Sequence, residues 1–271
     1  MIDIGVNLAS TQFDDDRGAV VDRALACGVR HLVATGTSLA NSRASAALAA
    51  HMPEALSFTA GVHPHQAATW ADTDLTHFKA LWAQDACVAI GECGLDYFRD
   101  IAPRYAQRRV LRCHAEQALA HNKPLFLHCR DAFEDFYLNI SAFTREGGRG
   151  IVHCFTGGRK ELDAFLELGL DIGVTGWVTD VRRGQALRDA VRHIPADRLH
   201  LETDAPYLAP RPLVRDAGGT AAARRNEPAR LVVVAEEIAR LRGESVEQLT
   251  ARCTQNSITF FGLDRAPWHL D

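Results

Sequence analysis

The feature that most limits how this chain can fold is a regular alternation of short apolar runs with longer amphipathic segments. Eight runs rich in β-branched residues predict strands, and the segments between them have the apolar spacing of helices. The predicted strands are 2–6, 31–35, 57–62, 87–91, 124–128, 150–154, 170–175 and 198–203. Strands that are apolar on both faces and are each followed by a helix form a parallel sheet covered by helices. Eight such units predict an α/β fold, a (β/α)8 TIM barrel.

The alternative is a doubly wound open sheet, and the segment after the first strand argues against it. Such a sheet would be expected to carry a glycine-rich phosphate-binding turn there. The sequence instead reads Gly5-Val6-Asn7-Leu8. We therefore favour the barrel, and we expect residues 1–271 to form a single domain with a long loop over 206–228.

Composition narrows the class of protein without naming a function. Hydrophobic residues make up 47% of the chain and charged residues 24%, which is typical of globular proteins and excludes disordered and fibrous ones. No long apolar run or signal peptide is evident, and the seven cysteines lack CxxC spacing, so we expect a cytoplasmic protein with no membrane association. The net charge of −4 gives no general attraction to nucleic acid, so a polyanion would need a local basic patch or a metal ion.

Four residues with metal-binding side chains lie at the ends of predicted strands: Glu92, His128, His153 and Asp204. The carboxyl ends of parallel strands open onto one face of a barrel, so these side chains could converge although they are distant in sequence. Two imidazoles and two carboxylates suit a divalent metal ion such as Zn²⁺, Mn²⁺ or Mg²⁺. The alternative is that each is a buried polar residue bonded to the backbone. Because four such residues lie at equivalent strand ends, we favour the metal site over four unrelated buried polar residues.

A second group of residues could bind a substrate phosphate. His63 and His65 follow the third strand, Arg130 follows His128, and Arg225 precedes the last barrel helix. Two residues apart on an extended segment, these histidines are expected to point the same way and suit a second metal or a phosphate; the alternative is a solvent-exposed loop. For Arg225 the alternative is an ion pair with Glu227.

Asp96 and Tyr97 follow the predicted strand that precedes Glu92. Both could line the mouth of the site, where the ring of Tyr97 could stack on a base. We favour packing beneath the loop for this pair.

Six motifs together resemble, in order, the signature of the TatD family of metal-dependent deoxyribonucleases. The resemblance extends from Met1 to about Gly262, and six ordered motifs are far more specific than one. The motifs are GVHPH at 61–65, IGECGLD at 90–96, LHCRDA at 127–132, VHCFTG at 152–157, ETDAPYL at 202–208 and RNEP at 225–228.

The resemblance implies a TIM-barrel phosphodiesterase of the amidohydrolase-like superfamily. It would be a magnesium-dependent 3′-5′ exonuclease on single-stranded DNA, with RNA and the metals Mn²⁺ and Zn²⁺ left open, acting as a monomer in DNA repair or nucleic-acid turnover. Glu92, His128, His153 and Asp204 match metal or catalytic positions of the family, with His63 and His65 at the mouth of the site.

On this hypothesis Glu92, His128 and His153 hold the metal, and Asp204 orients or deprotonates the attacking water. His63, His65, Arg130 and Arg225 are then the candidates for neutralising the phosphate. Two other readings stay open: an amidohydrolase or lactonase acting on a small molecule, and a catalytically weak metal-containing barrel that binds nucleic acid.

The first strand departs from the family pattern. Many relatives carry a His-x-His pair there, whereas this chain has Gly5 and Asn7. Glycine has no ligand atom and asparagine offers only a neutral amide oxygen, so we expect a weakly bound, exchangeable Mg²⁺ in place of tightly bound Zn²⁺.

The first prediction tests this departure. We expect protein dialysed without added metal to be metal-poor, and Asn7→His to retain more Zn²⁺ or Mn²⁺, because imidazole is a far better ligand than a neutral amide. Metal content after dialysis, measured for both proteins, checks it. Stoichiometric zinc retained by the wild type would contradict a weak site.

Overall fold

The computed structural model describes residues 1–211 and 225–265, and within them eight strands form one sheet in chain order. Strands β3 to β6 pair in parallel with one another, and β7 pairs in parallel with β8. The strands are β1 (Ile2–Val6), β2 (His31–Ala34), β3 (Leu56–Ala60), β4 (Cys87–Asp96), β5 (Leu125–Arg130), β6 (Gly150–Val152), β7 (Asp171–Val174) and β8 (Leu199–Leu201). This succession confirms the predicted (β/α)8 class.

In the described residues, helices alternate with the strands along the chain. They are α1 (Arg17–Ala26), α2 (Leu39–His51), α3 (Asp74–Trp82), α4 (Arg104–His121), α5 (Phe133–Arg145), α6 (Arg159–Glu167), α7 (Gln185–Ala190), α8 (Leu231–Arg242) and α9 (Val246–Phe261). Local sequence sets several of the ends. Ser38 and Ser245 accept backbone N–H groups at the starts of α2 and α9, and Gly243 ends α8 in the left-handed conformation.

The chain divides into two compact units. The first consists of Met1–Val33, Cys154–Leu162 and the described part of Ile172–Asp271, and the second of Ala34–His153 and Asp163–Asp171. The single domain over 1–271 stays a prediction. Part of the loop predicted over 206–228, residues 212–224, lies outside the described residues.

The second unit has an aromatic core behind β3. Trp82 and Phe78 of α3 are fully buried and stack with ring centroids 5.4 Å apart. The indole N–H of Trp82 donates to the carbonyl of Ala60 at 2.8 Å, so this large ring is buried without leaving its donor unsatisfied. The packing fixes the end of β3, from which the chain continues to His63.

The first unit ties the ends of β1 and β8 together through backbone hydrogen bonds. The N–H of Asp204 donates to the carbonyl of Gly5, and that of Asn7 donates to Ala205, both at 2.8 Å. Beneath them the buried carboxylate of Asp3 accepts hydrogen bonds from the backbone and hydroxyl of Thr203. These bonds bring Asn7 and Asp204 side by side.

Strand β4 is longer than predicted, because it continues beyond Gly91 to Asp96. Its register with β5 shifts between Gly91 and Cys93, and Gly91 and Gly94 have φ angles of +139° and +147°. Glycine adopts such angles without steric cost, which lets the strand pass close to β5. This extension carries both Glu92 and Asp96.

The second prediction concerns Gly94, where an added Cβ would overlap the carbonyl oxygen of His128. We expect Gly94→Ala to lower the free energy of unfolding by about 3 kcal/mol or more, since backbone strain adds to the overlap. Gly147 is the matched control: its φ is +87°, with open space around the added Cβ, so Gly147→Ala should cost only about 1–2 kcal/mol. Denaturant unfolding of both variants checks this, and equal losses would contradict it.

Candidate metal centre

The carboxylate of Glu92 is the centre of a cluster of histidines in the second unit. Its Oε1 lies 2.9 Å from Nε2 of His153, 3.0 Å from Nδ1 of His128 and 3.3 Å from Nε2 of His63. Only 4% of the Glu92 surface is exposed. Three imidazole nitrogens therefore converge on one buried carboxylate oxygen.

Backbone hydrogen bonds position three members of the cluster. The N–H of Glu92 donates to Gly36 at 2.8 Å, that of His63 to Thr37 at 2.9 Å, and that of His153 to Leu127 at 2.9 Å. The ring of His153 also stacks on Phe126, with centroids 4.6 Å apart. The cluster is thus built on the ends of β3 to β6, as the sequence predicts for Glu92, His128 and His153.

His63 and His65 do not lie on an extended segment, because a 3-10 helix, Pro64–Thr69, begins directly after His63. Nδ1 of His63 accepts the backbone N–H of His65 at 3.1 Å, and the two rings lie 4.3 Å apart. A neutral His63 that accepts at Nδ1 carries its proton on Nε2. In this tautomer Nε2 of His63 faces Oε1 of Glu92 as a hydrogen-bond donor, and only the other tautomer presents its lone pair to a metal.

Asp96 forms a second layer behind the histidines. Its Oδ2 lies 2.7 Å from Nε2 of His65 and 3.4 Å from Nε2 of His128, and its Oδ1 accepts the N–H of Arg99 at 2.8 Å. The buried side chain of Gln107 accepts the N–H of Asp96 at 2.8 Å. Asp96 therefore orients two imidazoles, a role that the sequence interpretation missed.

Burial and neighbouring charges shift the pKa values in the cluster. Burial favours the neutral acid, but His153, His63 and His128 hold the pKa of Glu92 well below its usual range. Burial lowers the pKa of His63 to about 3, despite the nearby carboxylate. Burial also opposes ionisation of Asp96, yet His128, the Arg99 N–H and His65 lower its pKa. With the carboxylates of Glu92 and Asp96 ionised and His63 neutral, the charge of the cluster favours the binding of a cation.

The donor atoms present fit a divalent metal ion. Among the described residues, ligand atoms of His63, Glu92 and His128 all lie within 4.8 Å of one another. Carboxylate oxygen and imidazole nitrogen are ligands of Zn²⁺ and Mn²⁺, and metal-bound histidines commonly donate their other N–H to a carboxylate. His128 has this arrangement: its Nδ1 faces Glu92, and its Nε2 faces the carboxylate of Asp96.

The remaining predicted site residues have other surroundings. Asp204, in the first unit, accepts the amide N–H of Asn7 at 2.8 Å. Arg225 donates to Asp16 and Glu227 at 2.7–2.9 Å, contacts that favour the ion-pair alternative. Arg130 is exposed and stacks on Phe98, which no sequence argument singled out. Their roles toward substrate stay predictions.

An α/β fold of eight parallel strands with carboxylate and imidazole donors at strand ends is the architecture of a class of metal-dependent hydrolases. Within that class the chain belongs to the TatD family, because residues 2–262 match the family model described as TatD related DNase.

Curated relatives cover nearly the whole chain. A protein of Pantoea vagans named 3′-5′ ssDNA/RNA exonuclease TatD is 44% identical over 97% of this chain and 100% of its own length. A protein of the same name from Erwinia billingiae is 45% identical over 97% of this chain and 99% of its own.

Solved structures agree with the fold. A TatD homologue from Escherichia coli superposes with a TM-score of 0.87 at 26% identity, covering 97% of this chain and 98% of that one. A TatD family hydrolase from Entamoeba histolytica gives 0.86 at 26% identity, covering 96% and 97%. In the described residues we find no helix with the length and hydrophobicity needed to cross a bilayer.

The third prediction concerns Asp96. We expect Asp96→Asn to lower affinity for Mn²⁺ by about 10- to 100-fold, because the variant loses the charge that orients His65 and His128. Asp100→Asn is the matched control, since Asp100 is an exposed carboxylate in the same turn that pairs with Arg104. Metal titration by calorimetry measures both, and equal affinities would contradict a positioning role for Asp96.

Proposed function

We propose that this chain is a metal-dependent phosphodiesterase that removes nucleotides from the 3′ end of single-stranded DNA and RNA. The observation that carries the proposal is the 44% identity, over nearly the full length of both chains, to a relative named for this activity. The Glu92 cluster supports it, because it supplies the donors that a phosphodiesterase metal site requires.

Glu92, His128 and His153 are the proposed metal-holding residues, with Asp204 as a further ligand. His63 is left out of the ligand set because its Nδ1 accepts a backbone N–H. We propose Mg²⁺, with Mn²⁺ and Zn²⁺ as alternatives, since Gly5 and Asn7 add no strong donor. When bound, such a cation neutralises charge on the phosphodiester and increases the acidity of water at the site.

The chain's own residues supply the remaining steps. The amide of Asn7 holds the carboxylate of Asp204, which orients the attacking water and accepts its proton. His63 and its neighbour His65, which is held by Asp96, are the proposed contacts for a phosphate oxygen beside the cluster. Arg130 contributes positive charge toward the same anion, which lowers the barrier for attack on a charged phosphodiester. Arg225, whose guanidinium pairs with Asp16 and Glu227, is the further candidate for this role.

The setting of this activity is also a proposal. All seven cysteines lie in the described part of the chain, and no disulfide joins them there, in keeping with a reducing compartment. We propose a cytoplasmic monomer that acts in DNA repair or nucleic-acid turnover.

The fourth prediction tests the proposed function with a 5′-labelled single strand and added Mg²⁺, Mn²⁺ or Zn²⁺. We expect stepwise shortening from the 3′ end, and a loss of about 100-fold or more in nuclease activity in His128→Ala and His153→Ala, because each variant removes a proposed metal ligand. Thermal melts in chelator should stay close to the wild type. His51→Ala, an exposed histidine on α2, is the control and should retain full activity.

Three outcomes would contradict this assignment. Binding of the strand without shortening would favour the nucleic-acid-binding barrel. Neither binding nor shortening would favour the small-molecule hydrolase. A large loss of stability of the His128 and His153 variants in chelator would favour a structural role for these histidines.

A further inference from the structure

Phe98 is an exposed aromatic ring at the start of the turn that follows β4. Its surface is 56% exposed, and the guanidinium carbon of Arg130 lies 4.1 Å from its ring centroid. Tyr97, by contrast, is partly buried and donates its hydroxyl to Asp135 at 2.6 Å. Phe98 and Arg130, together called the stacking pair below, therefore present a flat cationic and aromatic surface to solvent.

The backbone around the stacking pair is held firmly. The N–H of Tyr97 donates to the carbonyl of Arg130 at 2.9 Å, and the N–H of Arg99 donates to Oδ1 of Asp96 at 2.8 Å. The turn that carries Phe98 is thus fixed on both sides before any ligand arrives. Pre-organisation of this kind lowers the entropy lost on binding.

Arg130, on the ring, and Arg99, the residue after Phe98, both carry positive charge without an ion-pair partner in the described part of the chain. Within residues 1–211 and 225–265 neither Arg99 nor Arg130 forms an ion pair, whereas Arg104 pairs with Asp100 and Arg108 with Asp135. The guanidinium donors of Arg99 and Arg130 therefore remain available to an anion. A second copy of this chain docking face to face would bring these like charges together, which disfavours self-association through this surface.

The stacking pair lies beside the candidate metal centre. His128 and Arg130 are two residues apart on β5, where they pair with Gly94 and Asp96 of β4. Two residues along a strand span about 7 Å and point to the same face. A base joined through its sugar to a phosphate at the metal centre is within reach of Phe98.

We infer that Phe98 and Arg130 form a subsite in which a nucleobase of the single-stranded substrate stacks, next to the phosphodiester that is cleaved. The inference rests on the proposed function. Bases stack on aromatic rings and on guanidinium planes, and such stacking tolerates every base because each has a π face. The subsite thus holds the substrate without selecting its sequence.

The test combines variants of the protein with abasic substrates. We expect Phe98→Ala to lower kcat/KM on single-stranded DNA by about 5- to 100-fold, and Phe98→Trp to stay within about 2-fold of the wild type. An abasic site is placed at each of the last three 3′ positions in turn. At one of them the Phe98→Ala penalty should disappear, because no base is left to stack. Leu138→Ala, which removes an apolar side chain of similar exposure from α5, should change nothing.

Several results would overturn the subsite. They are equal rates for the wild type and Phe98→Ala, an equal Phe98→Ala penalty on every abasic substrate, and a wild-type dimer that Phe98→Ala converts to a monomer in sedimentation. Absence of cleavage by the wild type with every metal would overturn the proposed function. In that case binding of a labelled oligonucleotide in chelator still decides the subsite: weaker binding by Phe98→Ala supports it, and equal affinity overturns it.

Discussion

The structure of the candidate site depends on one buried charge, the carboxylate of Glu92. Burying an ionised carboxylate is costly unless polar partners surround it. Here the partners are His128 and His153, which lie 36 and 61 residues further along the chain. Adjacent parallel strands place such distant residues at one edge. The glycines of β4 serve the same end, since Gly91 and Gly94 let the strand that carries Glu92 run close against β5.

The sequence predicts a strand's ends well where apolar burial alone decides them, and less well where a neighbouring strand also constrains them. Strand β1 has the predicted bounds 2–6, and its buried run ends where the polar Asn7 follows Val6. Strand β4 was predicted to end at Gly91, and it continues to Asp96. Glycine normally weakens a strand, so Gly91 and Gly94 resemble a terminus; only the close approach of β5 makes glycine the residue that the strand requires.

Side-chain partners are harder to predict than strand ends, because they depend on elements far apart in the chain. Arg225 finds Asp16 across 209 residues, and no local pattern indicates that pairing. Asp96 had a usable signal: once β4 is known to continue, alternation puts it on the side of Glu92. No sequence signal indicated that Phe98 is exposed, since an aromatic residue after a strand is ordinarily packed beneath the loop.

Asp96 connects the two parts of the proposed substrate site. One of its oxygens faces His65 and His128, and the other accepts the N–H of Arg99 in the turn that carries Phe98. The orientation of the imidazoles and the position of the stacking ring are therefore set by the same buried carboxylate. In the proposed subsite this arrangement fixes the distance between a stacked base and the phosphodiester at the metal centre. An exonuclease that accepts any sequence needs such a fixed distance more than it needs hydrogen bonds to base edges, because stacking holds every base alike.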